Sequence, residues 1–284
     1  MHLHLLSVPY DSGRHGVRMG AGPDHLLGLG LADRLRARGH RVDATEIRAD
    51  EAAFPLEVAT AFELQRRLAP AVRDAVGRGQ LPIVLAGNCN TAVGTVSGLG
   101  PRAHDVVWLD AHGDFNTPET TVGGFLDGMS IAMLAGHCWT GMTAGVGGFE
   151  PVPESGIFIV GVRDLDPLER DRLARSGVTM IAPADAATGI AAALGENDDA
   201  SRPVYLHLDL DVVDPVEAVI NEFAAPGGLL QREVAEVIRA VGGRRRIAAI
   251  AVTALDPAAD PAGRGGALAC ALLEAAVDAA AAGA

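Results

Sequence analysis

The side chains best suited to chemistry in this chain of 284 residues lie in two short acidic runs. The first is Asp110-Ala111-His112-Gly113-Asp114. An extended segment leaving a strand alternates its side chains, which would direct Asp110, His112 and Asp114 to one side. Two carboxylates and an imidazole suit a divalent ion of moderate hardness, although this run taken alone is as readily a solvated loop. The second run, Asp209-Leu210-Asp211 with Asp214 close behind, repeats the alternation at the end of another apolar stretch. Burying two like-charged carboxylates at a strand end is costly unless a cation or protons compensate. Together the two runs offer more ligands than one ion held by three or four protein groups needs. They point to two ions bridged by shared carboxylates. A thiol, Cys89 in Ala86-Gly87-Asn88-Cys89-Asn90, sits between an apolar run and the next helical stretch. A helix N-terminus there would lower its pKa and favour the thiolate, while a lone buried cysteine can also be inert.

The elements that must position these groups are legible as alternating short apolar runs and longer helical patterns. Strands are expected at Leu3–Val8, Arg41–Ile47, Leu81–Ala86, Asp105–Asp110, Gly156–Val160, Val178–Ala182, Val204–Asp209 and Ile247–Thr253. Helices are expected at Leu26–Arg38, Ala59–Arg78, Asp166–Ser176, Gln231–Val241 and Ala267–Ala282. Strands separated by helices, several of them continuously apolar, imply a parallel sheet covered on both faces. In such a sheet ligands gather beyond the carboxyl ends of the strands, and LAGNCN, LDAHGDFN, VGVRDLD, LDLDVVDP and AVTALDP all follow expected strands. No repeat, linker or composition break divides the chain, so one domain is expected over 1–284.

Composition narrows the function classes. The chain is 49% hydrophobic and carries a formal charge of −13, which excludes a disordered chain and disfavours nucleic acid or anionic lipid as partner. Its three cysteines form no Cys-x-x-Cys pair, as in a reducing compartment. The N-terminus lacks the pattern of a secretory signal, and the one long apolar run, near the C-terminus, carries Glu274 and Asp278. The expectation is a cytoplasmic protein with a small-molecule substrate and no nucleic-acid or membrane partner.

The runs DAHGDFNTPET and DLDVVDP resemble the metal-binding motifs of the ureohydrolase superfamily, which contains arginases, agmatinases and formiminoglutamases. SVPYDSGRHGVRMGAGP and VGVRDLDP extend the resemblance along nearly the whole chain, in the family's order. The resemblance implies a single α/β domain of three layers with an eight-stranded parallel sheet, assembled as trimers or hexamers. It also implies hydrolysis of guanidino or amidino C–N bonds with two manganese ions. Asp110 and Asp209 would bridge the ions, His112 and Asp211 would complete one, and Asp114 would sit on the other and take part in proton transfer.

The departures from the family are as informative. Its Gly-Gly-Asp-His-Ser appears here as Ala86-Gly87-Asn88-Cys89-Asn90, which puts Cys89 at a histidine ligand position. A thiolate is softer than imidazole, so the ions could shift from manganese toward zinc, iron or cobalt. The proton-shuttling histidine falls at Asp127, which could still move protons. The glutamate that holds a guanidinium in arginases falls at Ala254, with Asp256 two residues on as a substitute or merely a turn cap. The pocket threonine falls at Phe223. Asn116 and Asp166 match positions that contact the amino-acid end of the substrate, and each could equally be a turn or capping residue. His207 lies two residues before Asp209 and is expected to support the metal edge or pack in the core, His137 to be structural, His2 and His4 to be packing or surface positions. Arg163 and Asp164 are expected to form a polar network beneath the site.

These readings converge on a two-metal hydrolase of a linear amidine or guanidine, with a modified arginine such as N-hydroxyarginine as the favoured substrate. An agmatinase- or formiminoglutamase-like hydrolase is the alternative within the same chemistry. A catalytically weak metal-binding homologue and a single-metal amide hydrolase are the alternatives outside it.

Overall fold

The computed structural model describes residues 1–50, 53, 54, 56–100, 104–196 and 201–283, and within them all eight expected strands form. They are β1 (His2–Val8), β2 (Arg41–Glu46), β3 (Leu81–Ala86), β4 (Asp105–Leu109), β5 (Ile157–Val160), β6 (Thr179–Ile181), β7 (Val204–Asp209) and β8 (Ile247–Thr253). All pair in parallel, in the order β2-β1-β3-β8-β7-β4-β5-β6. The helices are α1 (Gly22–Gly28), α2 (Leu31–Ala37), α3 (Glu57–Gly77), α4 (Ala92–Leu99), α5 (Ser130–Leu134), α6 (Thr140–Thr143), α7 (Pro167–Leu173), α8 (Ala186–Glu196), α9 (Gln231–Gly242) and α10 (Arg264–Ala282).

Strand alternation sends side chains into two cores, one on each face. Leu3 and Leu5 of β1 pack with Leu35 of α2, Val234 of α9 and Leu268 of α10. Leu6 and Val8 of the same strand pack with Phe62 of α3 and Val93 of α4 on the other face. The molecule is therefore a single α/β domain of three layers. The apolar C-terminal run is one of these covering helices, and Leu272, Leu273, Ala276 and Val277 lie buried in the first core.

The helix expected at Leu26–Arg38 is instead two helices, α1 and α2, meeting at Leu29 and Gly30. Gly30 adopts φ +77°, a conformation that glycine reaches without penalty and that ends helical propagation. The periodicity of the leucines continues across the break, which is why the pattern alone reads as one helix.

The four central strands β3, β8, β7 and β4 come from distant parts of the chain, and their carboxyl ends lie side by side. The loop after β3 is crossed closely by the N-terminal segment that follows β1. A Cβ on Gly87 would collide with the Tyr10 carbonyl oxygen and stand 2.7 Å from the Gly20 nitrogen. Gly87 thus seats the loop that carries Cys89. Gly87→Ala forces backbone apart on both sides, and overpacking of this kind costs about 1–3 kcal/mol. Denaturant unfolding of the variant should show a loss in that range, and an unchanged midpoint would contradict the close crossing.

Candidate metal centre

The acidic groups meet where β4 and β7 end. Asp110 follows β4 directly, and its two oxygens are already held: Oδ2 accepts from the Trp108 indole at 2.9 Å, and Oδ1 from the His112 backbone N–H at 2.7 Å. After β7 the chain enters a single 3-10 turn at Leu210–Val212, which Asp209 caps by accepting from the Asp211 N–H at 2.8 Å. This turn replaces the extended alternation expected there, yet Asp209 and Asp211 both line the same cavity of about 210 Å³. His112 Nδ1 lies 3.3 Å from Asp110 and 3.4 Å from Asp211. Cys89 Sγ lies 2.9 Å from Asp209 Oδ2 and 3.1 Å from the Thr253 hydroxyl.

These contacts define two donor groups that share Asp110. Cys89, Asp110 and Asp209 form one, and Asp110, His112 and Asp211 the other, with the donor atoms of each within 4.8 Å of one another. Asp114 belongs to neither. The chain turns at Asp114 through a left-handed φ of +46°, so the run from Asp110 is not extended to its end, although the Asp114 carboxylate still lines the cavity. Asp214 also stays out, because its oxygens accept from the backbone N–H groups of Val216, Gly227 and Gly228.

The electrostatics are those of a place built for cations. Burial, with Asp211 close by, raises the pKa of Asp110; burial, Asp211 and Asp110 raise that of Asp209. Burial and the carboxylates of Asp110, Asp127 and Asp209 hold Asp114 well above the usual range. Burial opposes charge on His112 as well, but Asp110 and Asp211 outweigh it and push the imidazolium up to about 12. Burial likewise opposes ionisation of Asp211, and the His112 imidazolium brings its pKa down. For Cys89 the sequence expectation reverses. Burial and then Asp209, Asp127, Asp114 and Asp110 drive the thiol well above its usual value. Burial together with the field of four carboxylates outweighs one helix end, so the thiolate needs a cation to exist here. A donor set of hard carboxylates, one imidazole and one thiol, buried and short of positive charge, fits divalent ions.

Around the donors, Asp127 is buried and accepts from the Asn90 N–H at 2.8 Å and the Asn88 amide at 3.0 Å, which ties it to the Cys89 loop. Burial pushes Asp127 up to about 7 despite those bonds. Asn116 and Asp166 also line the cavity and bond to each other at 3.0 Å. Asp166 precedes Pro167 at the start of α7, and Glu169 of that helix joins the two loops by accepting from the N–H groups of Phe115 and Asp166. Phe125 and Phe223 stack at 5.3 Å on the cavity wall. Ala254 completes that wall, and Asp256 does not line it: its carboxylate accepts from the Ala258 N–H at 2.9 Å in the turn beyond. Substitution of a missing glutamate by Asp256 is thus opposed by its commitment to a turn. Arg163 holds the backbone carbonyls of Gly161, Asp211 and Ala225, whereas Asp164 is exposed at the cavity.

Four supporting residues escape sequence reasoning: Trp108 under Asp110, Thr253 beside Cys89, Glu169, and Asn221, whose amide donates to Asp211 at 3.3 Å and to the Ala254 carbonyl at 3.0 Å. Two leave a local trace: Trp108, two residues before Asp110, and Glu169, three residues after Asp166 in the capping position of α7.

Comparison with known proteins gives concordant results. The Arginase family profile matches residues 1–278. The chain is 31% identical to the N(omega)-hydroxy-L-arginine amidinohydrolase of Streptomyces lavendulae, over 76% of each chain. It is 30% identical to an arginase of Eremothecium gossypii, over 89% of this chain and 69% of that one. The fold superposes on the arginase of Bacillus cereus with a TM-score of 0.86 at 25% identity, covering 97% of this chain and 98% of the other.

The raised pKa values carry a stability consequence. An acid or imidazolium whose folded pKa lies above its unfolded value stabilises the fold fully below the unfolded pKa and loses that contribution as pH rises through the folded one. Glu169, pushed to about 7 chiefly by burial, Asp127 at about 7, and His112 at about 12 all have this sign. Metal-free protein should therefore melt at a lower temperature at pH 8 than at pH 5.5, and added Mn2+ should raise the melting temperature more at pH 8. A metal-free melting temperature that climbs across this interval would contradict the assignment. Elemental analysis after Mn2+ loading should approach two ions per chain and fall in Asp209→Ala, with Cys89→His retaining manganese; full occupancy in Asp209→Ala would rule out its role as ligand.

Proposed function

The chain belongs to the arginase family, hydrolases acting on guanidino groups, and on that premise we propose that it hydrolyses a modified arginine, with N-hydroxyarginine the preferred member. The observation that carries this reading is Ala254. It stands in the cavity wall where a carboxylate would be needed to pair with a guanidinium, and the Phe125–Phe223 pair beside it offers no replacement charge. The similarity to an N-hydroxyarginine amidinohydrolase supports the same substrate.

Family enzymes use a two-metal site, usually of Mn2+. In this chain Asp110 would be shared by two ions, with Cys89 and Asp209 on one side and His112 and Asp211 on the other. When bound, two such ions supply Lewis acidity and lower the pKa of water so that it attacks at neutral pH. The protein's own part is orientation and proton handling. Asn116 and Asp166, kept in register by Glu169, present a polar pair for the amino-acid end of the substrate. The buried Asp127 carboxyl, with its pKa near 7, can hold a proton at the pH where the departing amine needs one. Asp114 shares that cavity and serves the same transfer. The apolar stack of Phe125 and Phe223 supplies a flat face for a planar group and no hydrogen-bond acceptor of its own. The partner of such a cavity is a small-molecule substrate, and assembly into trimers or hexamers is proposed by likeness to the family.

Loss of a charged hydrogen bond costs about 1.5–3 kcal/mol, or roughly ten- to more than a hundredfold in rate or binding. Steady-state kinetics of the Mn2+-loaded protein on arginine, agmatine, N-hydroxyarginine and formimidoyl compounds should thus place kcat/KM for N-hydroxyarginine at least tenfold above that for arginine. Arginase-like efficiency on arginine would refute the reading. Asp127→Asn should lower kcat on the order of a hundredfold, as loss of a proton-transfer group does, with a much smaller change in KM.

A further inference from the structure

Beneath the metal-binding edge runs a line of buried polar groups that hydrolysis does not itself require. The Tyr205 hydroxyl lies 2.7 Å from His207 Nδ1, His207 Nε2 lies 3.2 Å from the Thr253 hydroxyl, and that hydroxyl lies 3.1 Å from Cys89 Sγ. All four residues are at most 2% exposed. Tyr205 and His207 share one face of β7, and Thr253, the last residue of β8, pairs in register with Asp209. The His207 ring lies flat on Trp108, with centroids 3.4 Å apart and planes 2° from parallel. Trp108 is itself committed to Asp110, so the imidazole is confined to this line.

We propose that Tyr205, His207 and Thr253 are positioning residues for Cys89, forming a directed relay of hydrogen bonds that ends with the Thr253 hydroxyl donating to the Cys89 sulfur when it serves as a thiolate ligand. The inference rests on the reading of Cys89 as a ligand. Its direction is the one arrangement of protons that leaves one for the sulfur, and it requires the Tyr205 hydroxyl to donate to Nδ1 rather than to its other neighbour, Thr95. A neutral imidazole has one donor and one acceptor nitrogen. If Nε2 were the acceptor, the Thr253 proton would be spent on it and none would reach the sulfur. If the Tyr205 hydroxyl donates to Nδ1, Nε2–H donates to Thr253, whose own proton is then free. It can go to Cys89 at 3.1 Å or to the Leu208 carbonyl at 3.4 Å, and a charged sulfur at the shorter distance prevails. The relay therefore supplies a donor that a thiolate can use, fixes the sulfur in place, and draws electron density from it.

Cobalt(II) titration of the full chain, read in the near ultraviolet, tests this without substrate. The protein should show a sulfur-to-cobalt charge-transfer band that Cys89→Ser removes. Thr253→Val should shift the band to lower energy and weaken cobalt binding about tenfold, the lower range for loss of a ligand's supporting partner. Thr253→Ser should restore both, and Tyr205→Phe should shift the band the same way by a smaller amount. Tyr205→Phe decides the matter if Thr253→Val fails to fold. Absence of the band from the unaltered protein would overturn the ligand role of Cys89 and the relay with it. A band present but unmoved in both Thr253→Val and Tyr205→Phe would overturn the relay alone and leave Cys89 a ligand.

Discussion

The mutual repulsion of buried carboxylates is the constraint to which the rest of this molecule answers. Asp110, Asp114, Asp127, Asp209 and Asp211 are all nearly inaccessible and line one cavity. Each would be unaffordable alone in a low-dielectric interior, and together they are tolerable only with protons, the His112 imidazolium or bound cations among them. Most of the surrounding polar architecture is support for that arrangement. Trp108 and Asn221 hold individual oxygens, Arg163 ties the loops through their carbonyls, and the 3-10 turn after β7 presents two carboxylates toward one point. Two residues accept left-handed backbone at the cavity, Asp114 and Ala254, a strain of order 1–3 kcal/mol each that packing must over-determine.

How far the sequence alone reveals this depends on the range of the interaction concerned. The sheet is legible because its strands are short, apolar and separated by helical patterns, and because each strand's identity is a local property. The ligands are legible because acidic residues at alternate positions after an apolar run have few structural uses. Asp209 and Asp211 keep their place even though the backbone turns where extension is expected, since the spacing puts both toward the strand end either way. The helix at 26–38 is misjudged because leucine periodicity outweighs one glycine in a pattern, while in the fold Gly30 alone decides.

What the sequence conceals is what depends on distant groups meeting. The ionisation of Cys89 is set by its burial and then by carboxylates at 209, 127, 114 and 110, so local reasoning from a helix end assigns the wrong direction. Thr253 has no local mark because its partner, Cys89, lies far away in the chain, and Glu169 shows locally only as a partner of Asp166, its bond to Phe115 being distant. Asp256 illustrates the converse: it sits two residues from the right position in sequence, yet those two steps along the chain lead into a turn and away from the cavity.

The position of the final strand in the sheet gives the metal centre a seam. β8 is the last strand in the chain and lies between β3 and β7, so it joins two half-sheets, β2-β1-β3 and β7-β4-β5-β6, that have no strand pairing with each other until it inserts. Asp110, His112 and Asp211 all belong to the second half. Cys89 belongs to the first, and it meets Asp209 across the end of β8, where Thr253 touches the sulfur and pairs in register with Asp209. The bonds from the Cys89 loop to Asp127 are a second tie between the halves. One donor group is thus internal to a half-sheet while the other spans the seam between the two, so a displacement of β8 bears on the second group and leaves the first intact.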